Sequence, residues 1–340
     1  MGRERIRRGG EWSGREKKER REKWEERKGG RKRRTQLDSA AASDGVEETV
    51  LSPGGAGGGW DMTARGTGDA LLKSDLVDNV SFQNLSGGGG GKAISHLIET
   101  AQRQPNTLMV NSTPIVVRSL TGVFPQSFRD LTPVAATIAD YGAIVTSADS
   151  AYKSWQDVVD AFKQNPRKVK VAGGSAKGSL DHLVAAAAFK GQGFDPKAVR
   201  YIAYGDSSKA TAALLSNETP LLSTGLGEVL EMSKSGQVKI LAVTAPKRLT
   251  AAPDVPTLTE FGNPTVFANW RGFFAAPGTP KKKIAQYNEV LEKMYQKPEW
   301  VKVRDRNGWI DNYKPNKEFN LFLEEQEKQM GALMQELGFL

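Results

Sequence analysis

Along residues 46–340 a short apolar run is followed by a glycine-rich or polar loop and then by apolar residues three and four apart, and this order repeats. Strand, loop and helix in succession predict an α/β protein built on an open sheet. The runs at 46–51, 77–85, 107–110, 169–172 and 199–203 read as strands, the first of them polar for its place. Helical spacing follows the second run, where Ala93, Ile94, Leu97, Ile98 and Ala101 share one face, and recurs from Leu180 and around 210–215. Trp155, Val158, Val159 and Phe162 make a further amphipathic helix. It follows a stretch at 141–147 long enough to cross between two lobes, and 240–244 is the candidate return crossing. Beyond Pro277 the pattern turns helical through 281–296, 299–306 and 317–337, a segment expected to cap the first lobe.

In an open α/β sheet the ligand lies beyond the carboxyl ends of the strands, so the loops carry the chemistry. The first is Pro53-Gly54-Gly55-Ala56-Gly57-Gly58-Gly59-Trp60-Asp61, running straight into helix-like Met62-Thr63-Ala64-Arg65. Glycine lets backbone N–H groups reach a ligand with no Cβ in the way, and a helix start adds partial positive charge. Such a turn suits an anion, a carboxylate first. A second run, 87–91 followed by Lys92, also opens a helix. Both turns can face one cleft and hold one carboxylate without a salt bridge, which favours release.

Gly57, Gly58, Gly59, Trp60, Asp61, Gly89 and Gly90 are therefore candidate ligand contacts. Later loops add Asn111, Ser112 and Thr113, then Gly174, Ser175, Ser179 and His182, then Tyr204, Gly205 and Asp206, and finally Thr224. Their hydroxyls, with that of Ser207, donate or accept, suiting an acid with a second polar end. Plainer roles stand beside these. Trp60 either walls the pocket or anchors its loop, and Asp61 and Asp206 both stand where a helix cap belongs. A single histidine on a helix is usually structural, and Arg65, Lys92 and Lys177 face either the cleft or water.

Charge changes the picture at one end only. Residues 1–34 hold 16 Lys and Arg against 7 Asp and Glu, which is the whole formal charge of +9, so the body is neutral. That segment, with its interleaved glutamates and no apolar stripe, reads as a disordered tail, joined by a linker to about residue 45. As a nucleic-acid arm it would bind phosphate with little need for sequence, which gives a second reading: a nucleic-acid-associated protein with the α/β body as scaffold. No nucleic acid is expected on the body itself. The tail has no apolar h-region and no small-residue cleavage site, so no secretory signal is read there.

Catalytic classes fare poorly. A P-loop needs G-x-x-x-x-G-K-[ST], and the second turn has Ser86 for the first glycine and Ala93 for the hydroxyl. A dinucleotide fingerprint fails at Trp60, and a nucleophile elbow fails at Lys177. Two histidines and no cysteine leave little for a zinc site. A binder without enzyme activity, metal or cofactor is the expectation.

Four segments, in order, resemble the TctC/Bug family, the extracytoplasmic solute receptors of tripartite tricarboxylate transporters. They are Gly57-Gly58-Gly59-Trp60-Asp61 with the helix behind it, and Ser86 through Ala93. Leu241-Ala242-Val243-Thr244-Ala245-Pro246 running to Pro256-Thr257, and Trp270-Arg271-Gly272-Phe273-Phe274-Ala275-Ala276-Pro277-Gly278-Thr279-Pro280, complete the set. The resemblance covers about residues 46–340. It implies a two-lobed type II periplasmic-binding-protein fold, a Venus flytrap with two crossover strands. Lobe 1 would be 46–147 plus 245–340, and lobe 2 would be 148–244. It further implies capture of a small carboxylate, citrate-like first, delivery to membrane permease subunits, a periplasmic or extracytoplasmic location, and a monomer, since a delivering receptor needs no dimer.

Overall fold

The computed structural model describes residues 47–340; the tail and linker expected over 1–45 lie outside them. Elements follow in chain order as β1 (Glu47–Ser52), α1 (Gly59–Lys73), β2 (Asn79–Asn84), α2 (Gly91–Glu99), β3 (Thr107–Ser112), α3 (Thr113–Leu120) and β4 (Thr132–Ser147). Next come α4 (Trp155–Gln164), β5 (Val171–Gly173), α5 (Leu180–Gly191), β6 (Tyr201–Ala203), α6 (Ser207–Leu215), β7 (Leu221–Gly225), α7 (Leu226–Lys234) and β8 (Val238–Val243). The chain closes with β9 (Ala268–Ala275), α8 (Lys281–Tyr295), α9 (Pro298–Arg306), β10 (Ile310–Lys314) and α10 (Asn316–Leu337).

β4 belongs to two sheets, and this makes the molecule two-lobed. Its first part, Thr132 to Tyr141, runs antiparallel to β9, and β10 pairs there too. Its second part, from Gly142 to Ser147, runs antiparallel to β7 and β8. The first sheet continues from β9 through β3 to β1 and β2, with β1 parallel to both its neighbours. The second continues from β7 to β5 and β6, all parallel. The chain leaves β8 at Thr244, whose N–H bonds Gly142 O and whose hydroxyl bonds Phe267 O, and so returns to the first sheet beside the point where β4 left it.

Helices cover each sheet on both faces, which is why the strands read as apolar runs rather than alternating ones. On one face of the first sheet lie Ile94 and Leu97 of α2, Val116 of α3, and Phe319 and Met334 of α10. On the other lie Leu71 of α1, Leu291 of α8 and Trp300 of α9, so the C-terminal helices do cap this sheet. The second sheet has Trp155 and Phe162 of α4 with Phe189 of α5 on one side, and Leu214 of α6 with Val229 of α7 on the other. Trp155, Trp270 and Trp300 are fully buried, each contributing about 2–3 kcal/mol of apolar burial. α4 starts where it does because Ser154 and Asp157 form a reciprocal capping box. No helix among the described residues is long and apolar enough to cross a membrane.

Candidate functional site

The loops beyond the strand ends converge on one cleft between the sheets. From the first sheet's side it is lined by Gly54, Gly55, Gly58, Gly59, Trp60, Ser112, Pro114, Asn269 and Arg271. From the second come Gly174, Ser175, Leu180, Asp181, Gly205, Asp206, Ser207 and Glu228. A deeper recess shares Asp181, Glu228 and Arg271 and adds Asp140 and Thr224.

The first turn behaves as a helix N-terminus without a side-chain cap. α1 begins at Gly59 with Gly58 as its N-cap. Asp61, expected at the cap itself, sits three residues in, because Gly59 and Trp60 already take helical geometry. From there Asp61 reaches back, accepting the Gly57 N–H at 2.9 Å, and takes further hydrogen bonds from Asn84 and Arg65. Burial works against its charge, but these donors outweigh it and hold its pKa below the ordinary range. Arg65 is thus committed to Asp61 and Asn84, outside the cleft. The N–H groups of Trp60 and Asp61 have no hydrogen-bond partner among the described residues. Trp60 fills both roles open to it: it lines the cleft, and its indole N–H donates to Ser112 Oγ at 2.8 Å.

One N–H of this turn is already taken by a carboxylate. Gly59 N donates to Glu228 Oε1 at 2.9 Å, a contact from the first sheet's helix to the second sheet's. The other carboxylate oxygen of Glu228 caps its own helix, accepting from Thr224 Oγ1 at 2.8 Å and Gly225 N at 3.1 Å. Thr224 is therefore committed to holding Glu228. Ser208 Oγ also donates to Ala56 O across the same gap, so the two walls touch at the mouth.

Arg271 forms the floor. Its guanidinium pairs with Asp140 at 3.0 Å, donates to Thr63 Oγ1 at 3.1 Å and is only 3% exposed, while its Nε is buried with no partner. Gly59 has to be glycine for this arginine: a Cβ there would lie 2.8 Å from Arg271 Cζ and closer still to Nη2. Burial pushes the Asp140 pKa up to about 6, with Arg271 opposing and the Glu228 charge adding to the rise. Burial likewise pushes Asp181 up to about 7, helped by Glu228 and opposed by the Ser175 N–H and hydroxyl.

The structure brings Gly58, Gly59, Trp60, Ser112, Gly174, Ser175, Gly205 and Asp206 together as sequence reasoning grouped them. Asp206 also caps α6, accepting from Lys209 N at 2.8 Å. The other expected residues stand behind this lining. Asn111 orients Ser112 through its N–H, and the Thr113 N–H bonds Asn269. Ser179 is the N-cap position of α5. His182 accepts the Gly178 N–H, stacks on Tyr201 and meets the Phe339 edge; burial, with Lys177 adding, lowers its pKa to about 4. Tyr204 turns its hydroxyl to Glu218. Gly57 tucks against Asp61, Gly90 lies beside the Trp60 ring, and Gly89 packs on Arg118.

Arg271, Asp140, Asp181 and Glu228 were not among the expected site residues. A signal existed for two of them: Arg271 and Asp140 are lone charges inside otherwise apolar strands. Glu228, three residues past Gly225, reads from sequence as a cap and nothing more. Among the described residues no group of three or more His, Cys, Asp or Glu is placed to hold a metal ion.

Known proteins are similar to this chain in sequence and in fold. BugT of Bordetella pertussis is 29% identical over 251 residues, covering 73% of this chain and 76% of its own. A solved R. palustris protein with adipate matches with a TM-score of 0.78 at 21% identity, over 87% of this chain and 99% of that one. MatC from Rhodopseudomonas palustris with bound malate matches at 0.74 and 19% identity, over 85% and 99%. A family model described as the tripartite tricarboxylate transporter family receptor covers residues 64–339, and this chain belongs to that family.

Proposed function

We propose that this receptor captures a small carboxylate in the inter-lobe cleft and delivers it to the membrane permease of a tripartite tricarboxylate transporter, outside the cytoplasm. The observation that carries the reading is the start of α1. There the N–H groups of Trp60 and Asp61 have no partner among the described residues, and Trp60 lines a cavity walled from both sheets. Unpartnered N–H groups at a helix N-terminus favour an anion by about 0.3–1 kcal/mol from the dipole alone, beyond the hydrogen bonds themselves. Arg271, with its unpartnered Nε, supplies a second donor deeper in. Ser112, Ser175 and Ser207 offer donors and acceptors to the far end of the solute. Residues 46–147 plus 245–340 would then move as one lobe and 148–244 as the other, although the last part of β4, Gly142 to Ser147, pairs in the second sheet.

The charges of the lining bear on which acid. Asp181, Asp206 and Glu228 face the cavity, while the one arginine is already paired with Asp140. A citrate-like tricarboxylate would bring three negative charges into that field. A dicarboxylate or hydroxy acid is therefore the better fit, and the malate and adipate held by two structural relatives support it.

A thermal-shift panel of mono-, di- and tricarboxylates on the full chain, with RNA and nucleotides as controls, tests the reading. A ligand at 100 times its dissociation constant contributes about 2.7 kcal/mol. A selective rise in melting temperature with one acid class is expected. Silence across all acids, or stabilisation by RNA alone, would overturn it.

A further inference from the structure

The second glycine turn, whose Gly90 lies beside the Trp60 ring, packs on a buried arginine. Glycines 87, 88, 89 and 90 take φ of 141°, 60°, 64° and 99°, a run that side chains would not tolerate. The N–H groups of Gly88 and Gly89 have no partner among the described residues, and α2 begins directly after them. Against this turn lies Arg118 of α3, 8% exposed. A Cβ on Gly89 would come within 2.9 Å of Arg118 Nε and 3.5 Å of its Cζ and Nη2. Nε is buried with no partner among the described residues, and the guanidinium donates through Nη1 to Lys177 O at 3.4 Å.

A buried guanidinium without a counter-anion is costly, and burial indeed lowers the Arg118 pKa. Among the described residues no carboxylate pairs with it, and residues 86–92, 113–121 and 174–180 contain Lys92, Arg118 and Lys177 and no Asp or Glu. The Lys92 side chain runs beside the turn, its Cδ 3.3 Å from where a Cβ on Gly87 would stand. Glycines 87–90, Lys92 and Arg118 are not among the residues that line the cleft. Trp60, which lines the cleft, has its Cη2 3.4 Å from a Cβ position on Gly90.

We propose that the glycine turn at 88–90, Arg118 and Lys92 form a second binding site, separate from the cleft, for a small oxyanion of the phosphate class. Two N–H groups without a partner among the described residues, at a helix start, and a guanidinium packed beside them supply donors, and the excess of cations suits a dianion better than a single carboxylate. The site does not depend on what the cleft binds.

The test is titration of the ¹⁵N-labelled full-length protein with inorganic phosphate and with sulfate at constant ionic strength, chloride serving as control. Saturable shifts of the Gly88 and Gly89 amides with phosphate are expected. Binding should weaken about tenfold or more in Arg118→Met and less in Lys92→Gln, with affinity for a cleft carboxylate such as malate unchanged. Equal response to sulfate would mark a site for any tetrahedral dianion, and preference for phosphate one for phosphate itself; both support the site. Should Arg118→Met not fold, the wild-type titration and the exposed Lys92→Gln variant decide. An absence of saturable shifts, undiminished binding in Arg118→Met, or shifts at these amides with malate instead of phosphate would overturn the proposal.

Discussion

Gly59→Ala is the sharpest perturbation of the cleft floor. The added methyl would stand 2.8 Å from Arg271 Cζ, inside any ordinary contact, and Arg271 is held on its other side by Asp140 at 3.0 Å and Thr63 at 3.1 Å. The guanidinium must move. If it keeps Asp140, the cost is overpacking, about 1–3 kcal/mol. If it loses Asp140, a buried ion pair is broken at about 3–5 kcal/mol. Alanine in place of glycine in a helix returns about 0.5–1 kcal/mol, so the net loss is about 0–2.5 kcal/mol in the first case and about 2–4.5 kcal/mol in the second. Gly58→Ala is the matched control. Its Cβ would meet Gly55 O at 3.5 Å and Ser207 Oγ at 3.6 Å, ordinary contacts, and its φ of −78° suits alanine. That variant should lie within about 0.5 kcal/mol of wild type. Urea unfolding of the three proteins, followed by far-UV circular dichroism, measures both differences. A Gly59→Ala protein more stable than wild type, or a Gly58→Ala protein more damaged than Gly59→Ala, would refute the close approach of Arg271.

Asp181 links stability to pH. Its folded pKa of about 7 lies above the ordinary 3.8, so between these values the unfolded chain has lost a proton that the fold retains, and stability falls as pH rises. Asp181→Asn removes this loss, so the variant should gain on wild type between pH 4 and 7 by a ceiling on the order of 4 kcal/mol; a flat difference across that window contradicts the assignment. Glu228→Gln keeps an acceptor for Gly59 but removes a negative charge from the cavity, and carboxylate affinity measured by calorimetry should rise about tenfold, about 1.4 kcal/mol. Unchanged or weaker binding would show that the Glu228 charge does not oppose the solute. Trp60→Phe loses the hydrogen bond to Ser112, worth about 1 kcal/mol, and should abolish the change in tryptophan fluorescence on solute binding; a retained change would place the reporter elsewhere.

Much of this fold was legible because its elements are locally consistent. The strand, loop and helix order gave β1, β3 and α5 within a residue or two, and the amphipathic spacing of Trp155, Val158, Val159 and Phe162 gave α4. β4 was legible only from 141 onward. Its earlier part is buried on both faces and shows no alternation, so its periodicity carries no strand signal. The glycine turn at α1 announced itself, since few other roles suit such a run beside a helix start. The charged floor did not. Arg271, Asp140 and Glu228 come from β9, β4 and α7, and only the folding of two sheets around a shared strand brings them within reach of Gly59. His182 and Tyr204 show the converse: residue types fit for ligand contact, turned by packing toward Tyr201 and Glu218.

The most direct measurement is a crystal structure of the protein with malate or adipate, read for what the start of α1 holds. A solute carboxylate within hydrogen-bond distance of the Trp60 and Asp61 N–H groups, its far end near Ser112 and Ser175, is the expected result. A solute bound elsewhere, or in the cleft with those two N–H groups left to water, would contradict it.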